Sequence, residues 1–339
     1  MGKFLTAHFW ETNMGVRAIV TGGMGFIGSQ MIRICRESPE FDLTLNYDKL
    51  TYSGDRKNCP FQDDESYRFV EGDICDEELL ERLISTYDID IIYNFAAESH
   101  VDNSIHSSSV FVDTNVNGVR SILDCIKRVK YTLGKDITLI QVSTDEVYGS
   151  LEEGETGFVE SSPLSPNNPY SATKAAADLL IGSYVNTFGL RCGITRCSNN
   201  YGPRQHPEKL IPKMLKAAKN DQKLTVYGDG LQIRDWIHVS DHCAGILLFG
   251  KAIHSGDLSP GDVMNFGGTG ELTNLEVVHS ILRFCGKDET LIQFVEDRLG
   301  HDRRYAIDYS KATESLGWRP LVDWVEGINS TLLSYTFTS

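Results

Sequence analysis

The chain has 339 residues, of which 41% are hydrophobic and 23% charged, an ordinary composition for a globular protein of one large or two closely joined domains. Its net charge of −15 argues against nucleic acid or an anionic membrane as the partner, since phosphate surfaces are bound by basic footprints. The apolar runs are as short as β-strands, so no membrane span is predicted.

The eight cysteines are scattered through the sequence and form no Cys-x-x-Cys pair. This pattern favours reduced core thiols in a cytosolic protein over a disulfide framework, and no metal site is expected. Residues 1–15 hold a short apolar patch interrupted by His8 and lack the cleavage site of a secretory signal. We interpret them as an N-terminal extension, loosely docked or disordered.

Apolar strand patterns alternate with helical ones over residues 16–197. Strands are predicted at 16–20, 43–47, 67–71, 89–95 and 136–142, and helices at 26–36, 77–87, 111–130 and 170–187. This alternation predicts an α/β fold with a doubly wound parallel sheet of the Rossmann type. Residues 198–339 are richer in Pro, Gly and polar residues and predict a smaller C-terminal substrate-binding lobe, from which the segments near 235–266 could return to the main sheet.

A glycine-rich turn follows the first predicted strand and opens the first helix. Gly22, Gly25 and Gly28 have the spacing that allows a tight turn, close approach of a pyrophosphate and close helix packing. Asp48 ends the second strand, 20 residues after Gly28. A carboxylate there can accept hydrogen bonds from an adenine ribose and would repel a 2′-phosphate, so the pattern favours NAD over NADP.

The ends of the third and fourth strands carry further candidate cofactor residues. Asp73 and Ile74 would lie at the adenine edge, although Asp73 could equally cap the next helix. Ala96 and Ala97 are small enough for a cofactor to approach the backbone, and Ser99 could reach a substrate.

Two motifs indicate the chemistry. Tyr170 and Lys174 lie four residues apart on a predicted helix, so the phenol and the ammonium share one face. The ammonium is expected to lower the pKa of the phenol, which makes Tyr170 a base for a sugar hydroxyl. Thr144, Asp145 and Glu146 follow a buried strand, and supply the hydroxyl, acid and base that a dehydration next to a ketone requires.

Candidate substrate ligands are spread over the C-terminal lobe. Asn199 and Lys209 could bind phosphate or sugar hydroxyls, and Tyr227 and Arg234 add further candidates. The segment 297–304 is rich in arginine and includes Arg298, which predicts a diphosphate clamp, with surface salt bridging as the alternative.

At this point the chain resembles the extended short-chain dehydrogenases/reductases and, within them, the nucleoside-diphosphate-glucose 4,6-dehydratases. The resemblance spans residues 16–330 and is carried by motifs that begin at Thr21 (Thr-Gly-Gly-x-Gly-Phe-Ile-Gly-Ser), Asp48 (Asp-Lys-Leu-Thr-Tyr), Ala96 (Ala-Ala-Glu-Ser-His-Val-Asp), Ser143 (Ser-Thr-Asp-Glu-Val-Tyr-Gly), Asn168 (Asn-Pro-Tyr-Ser-Ala-Thr-Lys), Pro207 (Pro-Glu-Lys-Leu-Ile-Pro) and Gly300 (Gly-His-Asp-Arg-Arg-Tyr). The glycine turn and the Tyr-Lys pair are shared by the superfamily, whereas the Thr-Asp-Glu triplet is much narrower.

The resemblance implies a role for each catalytic candidate. Tyr170 would deprotonate the C4 hydroxyl of the sugar, Thr144 would hold the C4 oxygen, and Lys174 would assist Tyr170 and bind the nicotinamide ribose. Glu146 would take the C5 proton while Asp145 gives a proton to the leaving C6 hydroxyl. The implied product is a 4-keto-6-deoxy sugar, with the NAD restored in each cycle.

The resemblance also implies the binding residues. NAD contacts are expected from Gly22, Gly25, Phe26, Ile27, Gly28, Asp48, Lys49, Leu50, Thr51, Asp73, Ile74, Phe95, Ala96, Ala97, Ser99, Thr114, Tyr170, Lys174 and Asn200. Nucleotide-sugar contacts are expected from Ser99, Thr144, Asn199, Lys209, Leu210, Tyr227, Arg234, Asn265, Arg298 and His301. A homodimer formed through helices 111–130 and 170–187 is also implied.

Alternatives remain open from the sequence. The implied substrate is dTDP-glucose, but UDP-glucose differs by one methyl group, which contributes little binding energy. A nucleotide-sugar 4-epimerase is a further alternative, against which Asp145 and Glu146 argue. A non-catalytic NAD-binding protein is another, against which the intact Thr144, Asp145, Glu146, Tyr170 and Lys174 argue. Met24 in the glycine turn and a short segment between Tyr148 and Pro163 depart from the family pattern, and the latter affects the expected shape of the lid over the sugar.

Overall fold

Seven parallel strands form the central sheet of the computed structural model, which describes residues 15–152, 154–297 and 299–335. They are β1 (Val16–Thr21), β2 (Phe41–Asp48), β3 (Tyr67–Glu71), β4 (Ile91–Asn94), β5 (Thr138–Val142), β6 (Arg191–Cys197) and β10 (Val263–Phe266). Their spatial order is β10-β6-β5-β4-β1-β2-β3. The order reverses between β1 and β4, and ligands of such sheets bind in the crevice beyond the carboxyl ends of the strands at this point.

Smaller sheets and helices complete the chain. The other strands are β7 (Asn199–Tyr201), β8 (Leu224–Tyr227), β9 (Ile233–His238), β11 (Glu271–Thr273), β12 (Ile292–Val295) and β13 (Arg304–Tyr305), and the helices are α1 (Phe26–Glu37), α2 (Glu77–Thr86), α3 (Val101–His106), α4 (Ser109–Phe111), α5 (Gly118–Leu133), α6 (Pro169–Phe188), α7 (Leu210–Lys219), α8 (Val239–Ser255), α9 (Asn274–Cys285), α10 (Ser310–Leu316) and α11 (Trp324–Ser334). Short 3₁₀ helices cover Arg56–Asn58, Asp145–Tyr148 and Glu289–Leu291, and a π-helical segment covers Val112–Asn117.

The central sheet is buried on both faces, as its nearly continuous apolar strands require. One face packs against α1 and α8 through residues such as Met31 and Phe249, and the other packs against α2, α5 and α6 through residues such as Leu80 and Ile126. A separate core joins α7, α9 and α11 to β8 and β9, with Trp236 at its centre. The doubly wound parallel sheet predicted from the alternating pattern is therefore confirmed.

The segments after residue 230 divide between the two parts of the fold. β10 pairs with β6 at the edge of the main sheet, and α8 packs against that sheet. β9 instead pairs with β7, β11 and β13 in the second sheet.

The helix expected over residues 111–130 is not a continuous α-helix. It is interrupted by the π-helical segment Val112–Asn117, in which the buried Asn115 bonds to backbone atoms outside the helix. Residues 1–14, most of the predicted N-terminal extension, lie outside the described residues. Among the described helices, none has the length and apolar character to cross a membrane.

Candidate active site

The glycine turn joins β1 to α1 in a conformation that only small residues permit. Gly22 has φ +65°, and a Cβ atom added there would lie 2.8 Å from the backbone nitrogen of Ala96. A Cβ on Gly28 would lie 2.2 Å from the carbonyl oxygen of Gly22. Gly25 is the N-cap residue of α1 and brings no side chain, so the helix N-terminus presents its backbone N–H groups for an anion.

A cleft opens beside this turn, at the reversal point of the sheet. Its lining comprises Gly22, Gly25, Tyr47, Asp48, Lys49, Thr51, Ser53, Gly54, Gly72, Asp73, Ile74, Phe95, Ala96, Ala97, Glu98 and Thr114. Most of the residues predicted to contact NAD are in this set. Tyr47, Ser53, Gly54, Gly72 and Glu98 were missed, because their place in the cleft depends on how distant strand ends meet and not on a local motif.

Asp48 is fixed at the end of β2 by two backbone groups. Its carboxylate accepts hydrogen bonds from the N–H groups of Met24 at 2.8 Å and Leu50 at 2.7 Å. Burial nevertheless raises the pKa of Asp48. Nearby, Lys49 Nζ lies 2.6 Å from Asp73 Oδ2 across the mouth of the cleft. This arrangement leaves a carboxylate at the position where an adenine ribose would be recognised.

The acid–base pair begins a 3₁₀ helix directly after β5. Thr144 is its N-cap residue, and its Oγ1 accepts a hydrogen bond from the backbone N–H of Glu146 at 3.3 Å. Asp145 is buried, and burial raises its pKa well above the usual range, with further increases from Glu146 and Asp235. Its Oδ2 is a buried oxygen without a hydrogen-bond partner in the described structure. Burial and the neighbouring carboxylates therefore both favour the protonated form of Asp145.

Tyr170 and Lys174 lie in the first turns of α6. The helix starts at a capping box formed by Asn168 and Ser171, with Pro169 as its first residue. The Tyr170 backbone N–H donates to Ser104 Oγ at 3.2 Å, which ties α6 to α3. Lys174 is buried, and its Nζ donates to the Val142 carbonyl at 2.6 Å, which anchors it at the end of β5.

The pKa of Tyr170 differs from the sequence-based expectation. Burial raises the Tyr170 pKa well above the usual range, and the neighbouring Glu146 and Cys197 raise it further. A hydrogen bond with Thr144 lowers it. Burial also lowers the pKa of Lys174 to about 8. The net shift is therefore opposite to the one expected from the Tyr-Lys pair, because desolvation and neighbouring carboxylates dominate in the packed site.

Asn115, which the motifs did not indicate, connects the two halves of the site. Its Oδ1 accepts from the Glu98 backbone N–H at 2.9 Å, and its Nδ2 donates to the Glu98 carbonyl and to Thr173 Oγ1, both at 3.0 Å. The π-helical turn places this amide between the loop after β4 and helix α6. Segments of this kind are frequent at functional sites. An asparagine within a long predicted helix gives no local signal of this role.

The C-terminal lobe meets the cofactor side through a polar contact region. Lys209, the N-cap residue of α7, donates from Nζ to the Ser99 carbonyl at 3.0 Å. Glu208 Oε1 lies 3.4 Å from the Tyr52 hydroxyl, and its Oε2 lies 3.8 Å from His100 Nε2. Leu210 opens α7 beside these groups. Glu208 is thus a site candidate that the sequence analysis passed over.

Other predicted substrate ligands surround β9 and β13. Arg234 is buried, donates to the Asp302 carbonyl at 2.9 Å and stacks over the Tyr305 ring at 4.3 Å. Tyr227 packs edge-to-face against His301, and Nδ1 of His301 lies 2.6 Å from Asp297 Oδ1. Asn199 is half-buried at the start of β7, and Arg298 lies outside the described residues.

Two predicted ligands have side chains that are occupied within the protein. Asn265 is fully buried on β10, where its Oδ1 accepts from Tyr148 and its Nδ2 donates to the carbonyls of Phe158 and Asp308. Asn200 donates to the Ser198 carbonyl at 3.1 Å, and its Oδ1 lies 2.9 Å from His242 Nδ1. The structure does not bring either amide into the cleft. Phe26, Ile27, Gly28 and Leu50 adjoin the cleft without lining it, and Ser99 contributes its carbonyl to Lys209.

Known proteins resemble this chain over nearly its whole length. The model of the GDP-mannose 4,6 dehydratase family matches residues 19–331. The low-salt glycan biosynthesis protein Agl12 of Haloferax volcanii is 48% identical over 94% of this chain and 97% of its own, and a dTDP-glucose 4,6-dehydratase of Actinoplanes sp. is 45% identical over 94% and 98%. A dTDP-glucose 4,6-dehydratase of Streptomyces venezuelae, solved with NAD bound, has a TM-score of 0.88 at 43% identity and covers 95% of this chain and 98% of its own.

The parallel sheet, its glycine turn and the Tyr170–Lys174 pair define the class as the extended short-chain dehydrogenases/reductases. Within this class, the chain belongs to the GDP-mannose 4,6 dehydratase family of nucleotide-sugar dehydratases.

Proposed function

We propose that the protein is an NAD-dependent hydro-lyase that converts dTDP-glucose to dTDP-4-keto-6-deoxy-glucose and water. The observation that carries the proposal is the buried Asp145, whose raised pKa favours the protonated form, next to Glu146 and at the same sheet edge as Tyr170 and Lys174. A plain oxidoreductase or epimerase needs the Tyr-Lys pair but has no use for a second acid and base. The relatives that are named dTDP-glucose 4,6-dehydratases support the same assignment.

The cleft residues fit NAD. The pyrophosphate would lie at the N-terminus of α1 over Gly22 and Gly25, and Asp48 would accept hydrogen bonds from the adenine ribose. Lys174 would hold the nicotinamide ribose. When bound, NAD supplies the hydride acceptor for C4 of the sugar and, after elimination, the hydride donor for C6.

The first half of the reaction belongs to Tyr170 and Thr144. The Tyr170 phenolate would remove the proton of the C4 hydroxyl as the C4 hydrogen leaves as hydride, which leaves a ketone at C4. The Thr144 hydroxyl would hold the C4 oxygen. Because burial raises the Tyr170 pKa, the phenolate depends on positive charge in the assembled site, and the Lys174 ammonium is one such charge.

The second half belongs to the carboxyl pair. The C4 ketone acidifies the hydrogen on C5, and Glu146 would take that proton. Asp145, whose protonated form is favoured by burial, would give its proton to the C6 hydroxyl, which leaves as water and creates a C5–C6 double bond. Hydride then arrives at C6 and a proton returns to C5, so the net change is the loss of one water.

The two parts of the fold would bind different molecules, one the NAD and the other the nucleotide sugar. We infer that residues 16–197, together with the elements that return near 235–266, form the NAD-binding domain. Residues 198–339 would mainly grip the nucleotide sugar. Lys209, Arg234 and His301 are the described basic side chains of this lobe that the family resemblance assigns to the nucleotide sugar.

We also propose a homodimer formed through α5 and α6. The outward stripe of α6 carries Ala172, Ala176, Leu179 and Ser183, which are small or apolar, and Leu179 is 67% exposed. The two charged residues of α6, Lys174 and Asp178, are both buried, so its outer face has no charge. A helix that is apolar on both sides requires a second packing partner.

A cytosolic location is proposed from the thiols. All eight cysteines are free, and six of them are buried, as expected in a reducing compartment.

The deciding experiment is mass spectrometry of dTDP-glucose and UDP-glucose after incubation with the purified protein, without added NAD. Loss of one water from dTDP-glucose would support the dehydratase with a retained cofactor. A much faster loss of water from UDP-glucose would favour UDP-glucose as the substrate. Tyr170→Phe should still bind NAD but form no product. An isomerised sugar of unchanged mass would overturn the proposal in favour of an epimerase.

A further inference from the structure

A buried ion pair lies beneath the catalytic residues and has no part in the reaction described above. Arg196 Nε donates to Asp178 Oδ2 at 3.0 Å, with side chains that are 6% and 2% exposed. Removing two charges from water commonly costs as much free energy as their attraction returns. A contribution to folding stability is therefore a poor explanation for this buried ion pair. The residues around it indicate its role.

Asp178 faces Lys174 along one side of α6. The two residues are four positions apart, one helical turn, and the Asp178 charge favours the protonated form of Lys174. Cys197 on β6 is the other titratable group whose charge acts on Lys174, but burial raises the pKa of its thiol far above neutrality, so it stays uncharged. Tyr170 lies one turn earlier on α6, next to Asp145 and Glu146 of the 3₁₀ helix.

Arg196 connects the ion pair to the acid–base pair. Its Nη1 donates to the Tyr148 hydroxyl at 2.9 Å, and its guanidinium lies 4.8 Å from the centre of the Tyr148 ring. Tyr148 is the last residue of the 3₁₀ helix that begins with Asp145. The Tyr148 hydroxyl donates in turn to Asn265 Oδ1 at 2.8 Å, which explains why that asparagine is buried away from the cleft.

We propose that Asp178, Arg196 and Tyr148 form a buried brace that positions both halves of the catalytic machinery. Asp178 supplies the negative charge that keeps Lys174 an ammonium ion in a dry site, and Tyr148 fixes the helix that carries Asp145 and Glu146. The three are positioning residues that act through others. The inference rests on the proposed function, since it assigns them to that reaction.

Asp178→Asn tests the electrostatic half of the brace, because it keeps the shape and removes the charge. Without that charge, Lys174 loses its proton at lower pH, so the alkaline limb of the kcat–pH profile should move down by about one unit. Asp178→Glu, which retains the charge, should restore the limb towards its wild-type position. A limb that stays in place in Asp178→Asn overturns this half of the proposal.

Asp241→Asn is the matched control. Asp241 is also a buried carboxylate, and it accepts hydrogen bonds from the backbone N–H groups of Leu321 and Val322. Its substitution should lower Tm without moving the alkaline limb. Equal shifts of the limb in both variants would mean that loss of structure, and not the Asp178 charge, is responsible.

Tyr148→Phe tests the geometric half. The ring remains, but the hydrogen bonds to Arg196 and Asn265 are lost, so the acid–base pair should be displaced relative to the sugar. We expect water loss to slow by about tenfold or more, since small misplacements of catalytic groups are costly. Reduced nicotinamide should then accumulate during turnover, while the alkaline limb stays in place. A variant with wild-type elimination kinetics would contradict the role of Tyr148.

A measurement without substrate separates this proposal from the proposed function. NMR titration of isotope-labelled lysine side chains, with Lys174 assigned by its loss in Lys174→Met, reports its protonation directly. If the wild type fails to dehydrate dTDP-glucose, the function fails, and this titration still decides whether Asp178 controls Lys174. An unchanged Lys174 titration in Asp178→Asn overturns the electrostatic half of the brace whatever the substrate.

Discussion

Asp145 is a buried side chain whose proposed catalytic role and contribution to stability make opposite demands. Its carboxyl group is buried at the start of the 3₁₀ helix, has one oxygen without a hydrogen-bond partner, and shares its surroundings with Glu146 and Asp235. Each of these features opposes ionisation. They therefore favour the protonated form, which is the state needed to protonate a leaving hydroxyl.

The catalytic consequence is testable with Asp145→Asn. The amide cannot give the proton to the C6 hydroxyl, but C4 oxidation by Tyr170 does not require it. We expect C4 oxidation to survive while water loss slows by about 10²–10⁴-fold, the usual effect of a lost general acid. Stopped-flow absorbance of reduced nicotinamide alongside product mass separates the two steps. Wild-type turnover in this variant would show that the acid is another group.

The raised pKa that favours the protonated form of Asp145 is also expected to lower the stability of the folded protein at neutral pH. An aspartate in an unfolded chain ionises near pH 4, at about 3.9. Because burial raises the Asp145 pKa in the folded protein, the folded state holds more protons above that pH, and stability falls as the pH rises. Asp145→Asn removes this penalty. Its Tm should exceed that of the wild type near about pH 7, and the difference should shrink towards about pH 4.

This difference in Tm can be checked by thermal unfolding of the wild type and Asp145→Asn at both pH values, with each protein saturated with NAD. A variant less stable than the wild type at both would mean that the Asp145 carboxyl makes stabilising contacts that outweigh its desolvation.

Local motifs predicted the residues whose role depends on their neighbours in sequence. Thr144, Asp145 and Glu146 are consecutive, and Tyr170 and Lys174 are one turn apart, so their pattern is visible in the chain. The packing of Asn265 was not foreseen, because its hydrogen-bond partners Tyr148, Phe158 and Asp308 are distant in sequence. The raised pKa of Tyr170 was also not foreseen, because desolvation depends on how distant segments pack around the phenol.

At the scale of elements, the glycine turn sets the distance between the first helix and the strand ends. Gly22→Ala would combine a left-handed backbone with a Cβ only 2.8 Å from the backbone nitrogen of Ala96. We expect lower Tm and loss of the co-purifying NAD, because the turn must open at the pyrophosphate position. NAD released by denaturing the purified protein gives the measurement.

Gly134→Ala is the matched control for that substitution. Gly134 has φ +66°, nearly the same as Gly22, but an added Cβ would meet no atom within 4 Å. It should cost about 1 kcal/mol from the backbone conformation alone and leave NAD retention unchanged. Equal NAD loss in both variants would attribute the effect to general destabilisation, and not to the turn.

Strands and helices were largely predictable, because apolar periodicity is a local property. The structure has strands at Tyr67–Glu71 and Thr138–Val142 and a helix at Pro169–Phe188, each within a few residues of its predicted bounds. The π-helical segment Val112–Asn117 was not foreseen, since it arises from hydrogen bonds of Asn115 to another loop. The partners of β9 in the second sheet are likewise set by tertiary pairing.

At the scale of the whole molecule, two of the proposed roles depend on the same helix. One side of α6 carries Tyr170 and Lys174 into the site, and the other side is uncharged and exposed. A second subunit packed there would remove apolar surface from water and brace the catalytic helix from behind. Dimer formation would then support activity although no residue of the partner need touch the substrate.

Leu179→Lys places a charge in the middle of this surface. Leu179 is 67% exposed in the single chain, so the substitution should leave the subunit fold intact, whereas burying an unpaired ammonium in an interface is costly. We expect light scattering to show a dimeric wild type and a monomeric variant, with reduced kcat because α6 loses its support. Leu321→Lys, at a residue 65% exposed on the C-terminal side, should keep the wild-type mass and activity. A Leu179→Lys protein with the mass and activity of the wild type would place the dimer interface elsewhere.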